Sequence, residues 1–402
     1  MTYARTTSSS LLLLGAATAL PPLSIDMALP AISSVGAALG STSALATQTI
    51  GLFILGFVLG PLIFGPLSDR IGRRPILLGG LAVFTLAGIA CAAAQSMEML
   101  LIARVIQGAA AGAAAVMPVA IVRDAFAGPE GRSMQNSLVV INNVAPLVAP
   151  LIGAAILLVG NWRDVYASLA VAGLILIWAG LRLKESHSLS GRISQPLLRT
   201  YATVLRSKRF AIAASILALN FAGMFAYITA SPLVFMEGMA MTSEGFAILF
   251  ALTALGTLLG SWINTRLIKA SWSDTKVIGG SLGFTLVCSV GLLVASASTA
   301  NVIVFAALIV ASNICTGLVM PNATHAALEE LGHIAGSGAA LLRAMQMTGG
   351  AAASFLVGHF YDGHSANAMA GVMAGSALLA LVIFGSGYRH ISHQQTHVRH
   401  AY

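Results

Sequence analysis

Apolar residues in this chain come in long, almost unbroken runs. They fall at 11–35, 43–67, 76–95, 99–122, 134–159 and 163–183, and, after a polar break, at 211–236, 246–268, 277–297, 302–324, 335–358 and 366–388. A bilayer core takes roughly 20 residues of α-helix, and lipid leaves no backbone group unpaired, so runs of this length predict helices. The pattern therefore predicts an all-α integral membrane protein with twelve transmembrane helices. The first run, behind Arg5, has the look of a signal peptide, but it continues to Val35 and many more spans follow it. The longest polar segment runs from Lys184 to Arg209. It separates an N-terminal six-helix bundle (1–183) from a C-terminal one (211–388). A cytoplasmic linker (184–210) joins them, and a basic His-rich tail (389–402) follows.

The two halves echo one another. Leu55-Gly56-x-x-Leu59-Gly60 recurs 200 residues later as Leu255-Gly256-x-x-Leu259-Gly260, and Val116-Met117-Pro118 recurs 203 residues later as Val319-Met320-Pro321. Both echoes lie in corresponding spans, the second and fourth of each half, which points to a duplicated six-helix unit. Composition agrees: 57% of residues are apolar and only 8% charged, against about 25% in a soluble chain. A soluble enzyme, a disordered chain and a nucleic-acid binder are thereby excluded. Cys91, Cys288 and Cys315 lie in apolar segments without metal-ligand spacing, so neither a disulfide framework nor a metal site is expected.

The net charge of +8 matters through its placement. With the N-terminus inside, 18 of the 21 Lys and Arg residues fall in cytoplasmic loops, the linker or the tails; Arg104, Arg163 and Arg343 are the exceptions. Glu98, Glu237, Glu244 and Asp362 fall outside. This asymmetry predicts that both termini are cytoplasmic.

Between the second and third spans stands Gly65-Pro66-Leu67-Ser68-Asp69-Arg70-Ile71-Gly72-Arg73-Arg74. Gly65 would permit close packing and Gly72 a tight turn, while Asp69 would cap the third helix and pair with arginines. The loop resembles the signature of the major facilitator superfamily. Arg104-Val105-Ile106-Gln107-Gly108 in the fourth span is similar to a second pattern of that family, and Arg123-Asp124 at its end could engage Asp69. In the fifth span, Ala145-Pro146-Leu147-Val148-Ala149-Pro150-Leu151-Ile152-Gly153-Ala154 resembles the family's antiporter motif, with alanine for the glycine before Pro150 and for the final glycine. Asp26-Met27-Ala28-Leu29-Pro30 in the first span is similar to the bicyclomycin/chloramphenicol resistance branch, as is Asn220 to Tyr227 in the seventh. The resemblance implies two pseudo-symmetric six-helix bundles that rock to give alternating access. It implies a gate built from Gly65, Asp69, Arg70, Gly72, Arg73, Arg74, Arg123 and Asp124, and drug:proton antiport in the bacterial inner membrane.

Asp26 is the acid within an otherwise apolar span, where an ionised carboxylate must be paired or protonated. Counted along a straight helix from Val35 it lies roughly 13 Å below the external surface, and Arg104 lies roughly 10 Å below it. If the first and fourth helices line one cavity, as the family fold implies, the two approach one another and form the proton-coupling pair. The alternative is an ion pair that only assembles the bundle. Substrate-facing candidates are Asp26, Gln107, Asn142, Asn143, Asn220, Phe221, Met224, Tyr227 and Gln346, with helix packing as the alternative for each. Arg343 is placed to snorkel to the cytoplasm. His390, His393, His397 and His400 have metal-like spacing, but a solvated tail near anionic lipid is the simpler reading.

The expected partners are a drug or metabolite, protons and lipid. No cofactor beyond the proton gradient, no nucleic acid and a monomeric state are expected. A metabolite exporter would share every motif, and a proton-coupled importer is disfavoured by the fifth-span motif. A membrane enzyme would need clustered His, Asp and Ser within the spans. Reporter fusions at Ala4 and Tyr402 should both behave as cytoplasmic; a periplasmic signal from either overturns the topology.

Overall fold

The structure, a computed structural model, describes residues 8–126, 128–186, 197–298, 301–363 and 365–392. The elements are α1 (Ser8–Asp26), α2 (Ile32–Ala38), α3 (Ser43–Ile71), α4 (Arg73–Ala92), α5 (Met97–Ala125), α6 (Gly128–Val159) and α7 (Trp162–Gly180). They continue with α8 (Leu197–Arg206), α9 (Lys208–Ser231), α10 (Ser243–Lys269), α11 (Asp274–Ala297), α12 (Val302–Leu328), α13 (Ala335–Phe360) and α14 (Asn367–Ser392). Two compact units result: one of Met1–Gln195 with Thr242–Ala251, the other of Pro196–Met241 with Leu252–Tyr402.

Among the described residues, 11 stretches are long and apolar enough to cross a membrane. The helix that falls short is α13, although its 26 residues match its neighbours in length. Arg343, Gln346 and many small residues lower its hydropathy, because its inner face packs on α9 and not on lipid: a Cβ at Gly349 would stand 2.2 Å from the Ala218 carbonyl oxygen. The first span is also not one helix. α1 stops at Asp26, a short 3₁₀ segment follows at Leu29–Ala31 with Pro30 inside it, and α2 resumes at Ile32. Proline lacks the amide that a continuous helix needs, so the straight-helix depth reckoned for Asp26 does not hold. The polar linker contains a helix, α8, with Val204 buried and Leu205 exposed. α9 likewise runs on past Pro232 as a π-helix to Gly238.

In each unit the second and fourth long helices pack backbone against backbone. In the first unit, a Cβ at Gly56 would meet the Val105 carbonyl oxygen at 2.1 Å, and one at Gly60 would meet the Gly112 Cα at 2.4 Å. In the second, a Cβ at Gly256 would meet the Val310 oxygen at 2.9 Å, and one at Gly317 the Thr257 oxygen at 2.2 Å and the Gly260 Cα at 3.0 Å. From Gly56 and Gly60 to Gly256 and Gly260 the shift is 200, and from Val105 and Gly112 to Val310 and Gly317 it is 205. The same register maps Gly108, whose Cβ would lie 1.9 Å from the Phe53 oxygen, onto Asn313, whose amide donates to the Thr253 oxygen at 3.0 Å. The Val-Met-Pro echo, at 203, is two residues out of this register and does not mark equivalent contacts. In lipid, where apolar burial gives helices no net drive to associate, such backbone-to-backbone approach is what holds them.

Gly108→Val and Gly317→Val should each cost ~1–3 kcal/mol or more through overpacking and broaden or abolish the monodisperse gel-filtration peak. Gly79→Ala and Gly283→Ala, with nothing within 4 Å of the added atom, should leave it unchanged.

Candidate functional site

Asp26 is the last residue of α1 and is only 4% exposed. Among the described residues nothing donates to its carboxylate. The break beyond it is held from the fifth span, where a Cβ at Gly153 would lie 2.2 Å from the Met27 carbonyl oxygen. The antiporter-like stretch of α6, with Pro146 half-buried and Pro150 buried, is thus packed against the turn that carries Asp26.

Arg104 is fully buried, and its guanidinium is engaged by acceptors other than Asp26. Nε donates to the Thr49 carbonyl at 3.2 Å, one terminal nitrogen to Gln107 Oε1 at 2.7 Å and the other to the Ser24 carbonyl at 3.1 Å. The cation also stands 4.3 Å from the Phe53 ring centroid. No Asp26–Arg104 ion pair is present. Arg104 instead holds the backbone two residues before Asp26, which makes it a positioning residue for that turn. Gln107 is itself fully buried as a partner of Arg104.

At the signature loop, Gly72 has φ +118° and separates α3 from α4. A Cβ there would lie 2.5 Å from Glu185 Oε2. Glu185 receives the first amides of α4: Arg73 N donates to Oε1 at 2.9 Å and Arg74 N to Oε2 at 3.1 Å. A carboxylate satisfies those orphan amides and complements the helix dipole. The Arg73 side chain, 4% exposed, donates from Nε to Asp124 Oδ2 at 2.9 Å and from a terminal nitrogen to the Ser68 hydroxyl. Arg123 is exposed, with Nε 3.7 Å from Asp124 Oδ1. Arg74 donates to the Leu181 carbonyl at 2.8 Å, and Arg70 is exposed. The Asp69 side chain lies outside the described residues, so the expected Asp69 contacts lie outside them too. Gly65 has nothing within 4 Å of an added Cβ, so close packing does not account for it; its side of α3 faces open space.

The second unit separates the remaining candidates. Asn220 and Met224 line a cavity of about 20 Å³ with Thr285, Ser312, Asn313 and Ser376. Asn220 Oδ1, Thr285 Oγ1 and Ser312 Oγ are buried there without hydrogen bonds. This space holds about one water and is far below the 300 Å³ or more of a drug pocket. Tyr227 is locked by a 2.7 Å bond between its hydroxyl and that of Thr253. Phe221 is buried with its ring 5.9 Å from the Arg343 guanidinium. Gln346 is 4% exposed. In the first unit, Asn142 is half-buried and Asn143 exposed. His393, His397 and His400, and the His390 side chain, lie outside the described residues.

A family model described as Major Facilitator Superfamily matches residues 14–354. The chain belongs to that superfamily. It is 31% identical over 384 residues to the MFS-type transporter YdgK of Bacillus subtilis (strain 168), covering 93% of this chain and 92% of that one. It is 29% identical to a chloramphenicol resistance protein of Pseudomonas aeruginosa, over 82% and 79% of the two chains. It is 31% identical to the multidrug resistance protein MdtM of Escherichia coli (strain K12), over 56% of each. The crystal structure of the peptide transporter POT in complex with sulfate shares the fold, with a TM-score of 0.77 at 13% identity over 98% and 96% of the chains. The chain is thus a membrane transporter of the branch that includes drug-resistance proteins.

Several residues central to this superfamily member's site were not expected from the sequence. Glu185 is a lone carboxylate in a basic linker, and that isolation is the signal that could mark it as a helix-capping group. Asn313 and Thr253 gave only the weak signal of amide and hydroxyl groups in apolar spans. Arg104→Lys should keep the charge but lose the planar fork that reaches three acceptors. At ~1.5–3 kcal/mol per charge-assisted bond lost, the melting temperature of the purified protein should fall clearly. Glu185→Gln should cost less, about 1 kcal/mol. An unshifted Arg104→Lys melt would show that the fork is not needed.

Proposed function

We propose that this transporter exports small amphipathic drugs across the bacterial inner membrane by alternating access, driven by protons carried on Asp26. The observation that carries the proposal is the state of Asp26: a buried carboxylate at a helix break, without a hydrogen bond or ion pair among the described residues. An aspartate at the centre of a spanning helix costs about 2.5–3.5 kcal/mol to insert. A fixed arginine partner would offset that cost by holding the group ionised. Lacking one, Asp26 is able to take up and release a proton as its surroundings change. Arg104 and Gly153 both hold the backbone around it, so movement of α5 or α6 would alter those surroundings. The drug-resistance relatives support amphipathic drugs as substrates. The concentration of Lys and Arg in alternate loops supports cytoplasmic termini, and the proposed energy source is the proton gradient.

Asp26→Asn keeps the shape and fixes the neutral state. In inverted vesicles it should reduce uptake driven by a pH gradient to background while equilibrium drug binding stays measurable. Binding by the wild type should release a proton, and binding by the variant none. Wild-type transport by Asp26→Asn would place the carrier elsewhere. A susceptibility panel in an efflux-deficient bacterium would then identify which drugs, if any, are moved.

A further inference from the structure

Among the described residues, the second unit contains a cation inside a spanning helix without a counter-ion. Arg343 lies on the ninth residue of α13 (Ala335–Phe360), well inside the helix. Among the described residues its guanidinium receives only the Phe221 ring, at 5.9 Å to the centroid. That is the outer limit of a cation–π contact and satisfies none of the five N–H donors. The unit's described acids stand at helix ends or in loops. Glu329 and Glu330 pair with Arg209, and Asp274 is 3.6 Å from His325. Glu237 lies in the last turn of the π-helix and Asp362 follows α13. Gln346 is on the same face one turn on, 4% exposed, and makes no hydrogen bond among the described residues. The seam beneath them is rigid and aromatic: a Cβ at Gly350 would stand 2.8 Å from Phe225, whose ring centroid is 6.1 Å from that of Phe221.

Arg343 is half-buried, and an arginine within the membrane cannot shed its proton, so a guanidinium without a protein acceptor there is open to an anion. We propose that Arg343, with Gln346 beside it, receives the carboxylate or sulfonate of a small organic anion whose apolar body lies in the membrane-spanning part of the protein. The planar fork suits a two-oxygen acceptor, and the Gln346 amide supplies a further donor. This assigns a charge class to the substrate and rests on the reading of the chain as an exporter. A lipid headgroup phosphate offers the same chemistry from another source.

The test uses the full-length protein with para-nitrobenzoate and its neutral analogue para-nitrobenzamide. Equilibrium dialysis in a neutral detergent, which supplies no lipid phosphate, should show the carboxylate bound about 10-fold more tightly. Arg343→Gln should bring the two to equal affinity with amide binding unchanged. If that variant does not fold, Arg343→Lys should keep the direction of the preference and lose several-fold of its size. Full wild-type preference in Arg343→Gln or, failing that, in Arg343→Lys overturns the proposal. So does a wild type without preference whose melting temperature rises when anionic lipid is added, since the guanidinium then serves lipid. A preference in binding without any efflux from vesicles would sink the exporter reading and leave the site. Efflux of neutral drugs without the preference would sink the site and leave the exporter.

Discussion

Burying a guanidinium inside a helical unit is favourable only if each of its nitrogens has an acceptor, and Arg104 meets that condition with two backbone carbonyls and the Gln107 side chain. Its three hydrogen bonds tie α5 to the Ser24 carbonyl of α1 and the Thr49 carbonyl of α3, and to Gln107 on its own helix. Both carbonyls are fixed by the helices that bear them, so the charge is satisfied by a frame, and the frame in turn is pinned by the charge. α3 can reach α5 this closely only because Gly56, Gly60, Gly108 and Gly112 remove side chains at the crossing. The polar hub and the glycine seam depend on each other, and the turn bearing Asp26 inherits its position from both.

The second unit solves the same crossing with different chemistry. Its seam keeps Gly256, Gly260 and Gly317, but at the place of Gly108 it has Asn313, bonded to the Thr253 carbonyl. In the register of the seam, Arg104 corresponds to Ile309, which is fully buried. The arginine inside a span of this unit is Arg343 on α13, and among the described residues it has no acceptors like those that make Arg104 structural. One duplicated scaffold therefore carries two arginines with opposite roles: one is consumed by the fold, and the other is left with donors to offer.

The signature loop follows the same logic at the membrane edge. Arg73, although it looks like an orientation signal, is nearly as buried as Arg104 and is held between Asp124 and Ser68. Glu185 closes the assembly from the far end of the unit by binding the first amides of α4. A loop that joins two neighbouring helices is thereby fastened to the ends of two others, α5 and the chain beyond α7.

The sequence by itself determined what depends on solvent and on backbone sterics. Long apolar runs force helices in lipid, the glycine echo at an offset of 200 marks a repeated unit, and the lone acid of the first span stands out by its cost. Those inferences are local or nearly so, which is why the helices, the Gly56 and Gly60 repeat, Gly72 as a turn and the burial of Asp26 were all legible. Partner choice was not, because a hydrogen bond is decided by three-dimensional register. Arg104 and Asp26 looked like a pair from their depths along straight helices, yet α1 breaks at Asp26 and the guanidinium finds the carbonyl of Ser24 instead. The capping of α4 by Glu185, 112 residues beyond Arg73, and the isolation of Arg343 likewise depend on how helices distant in sequence are packed. Tertiary structure alone decided which charges are satisfied and which remain open.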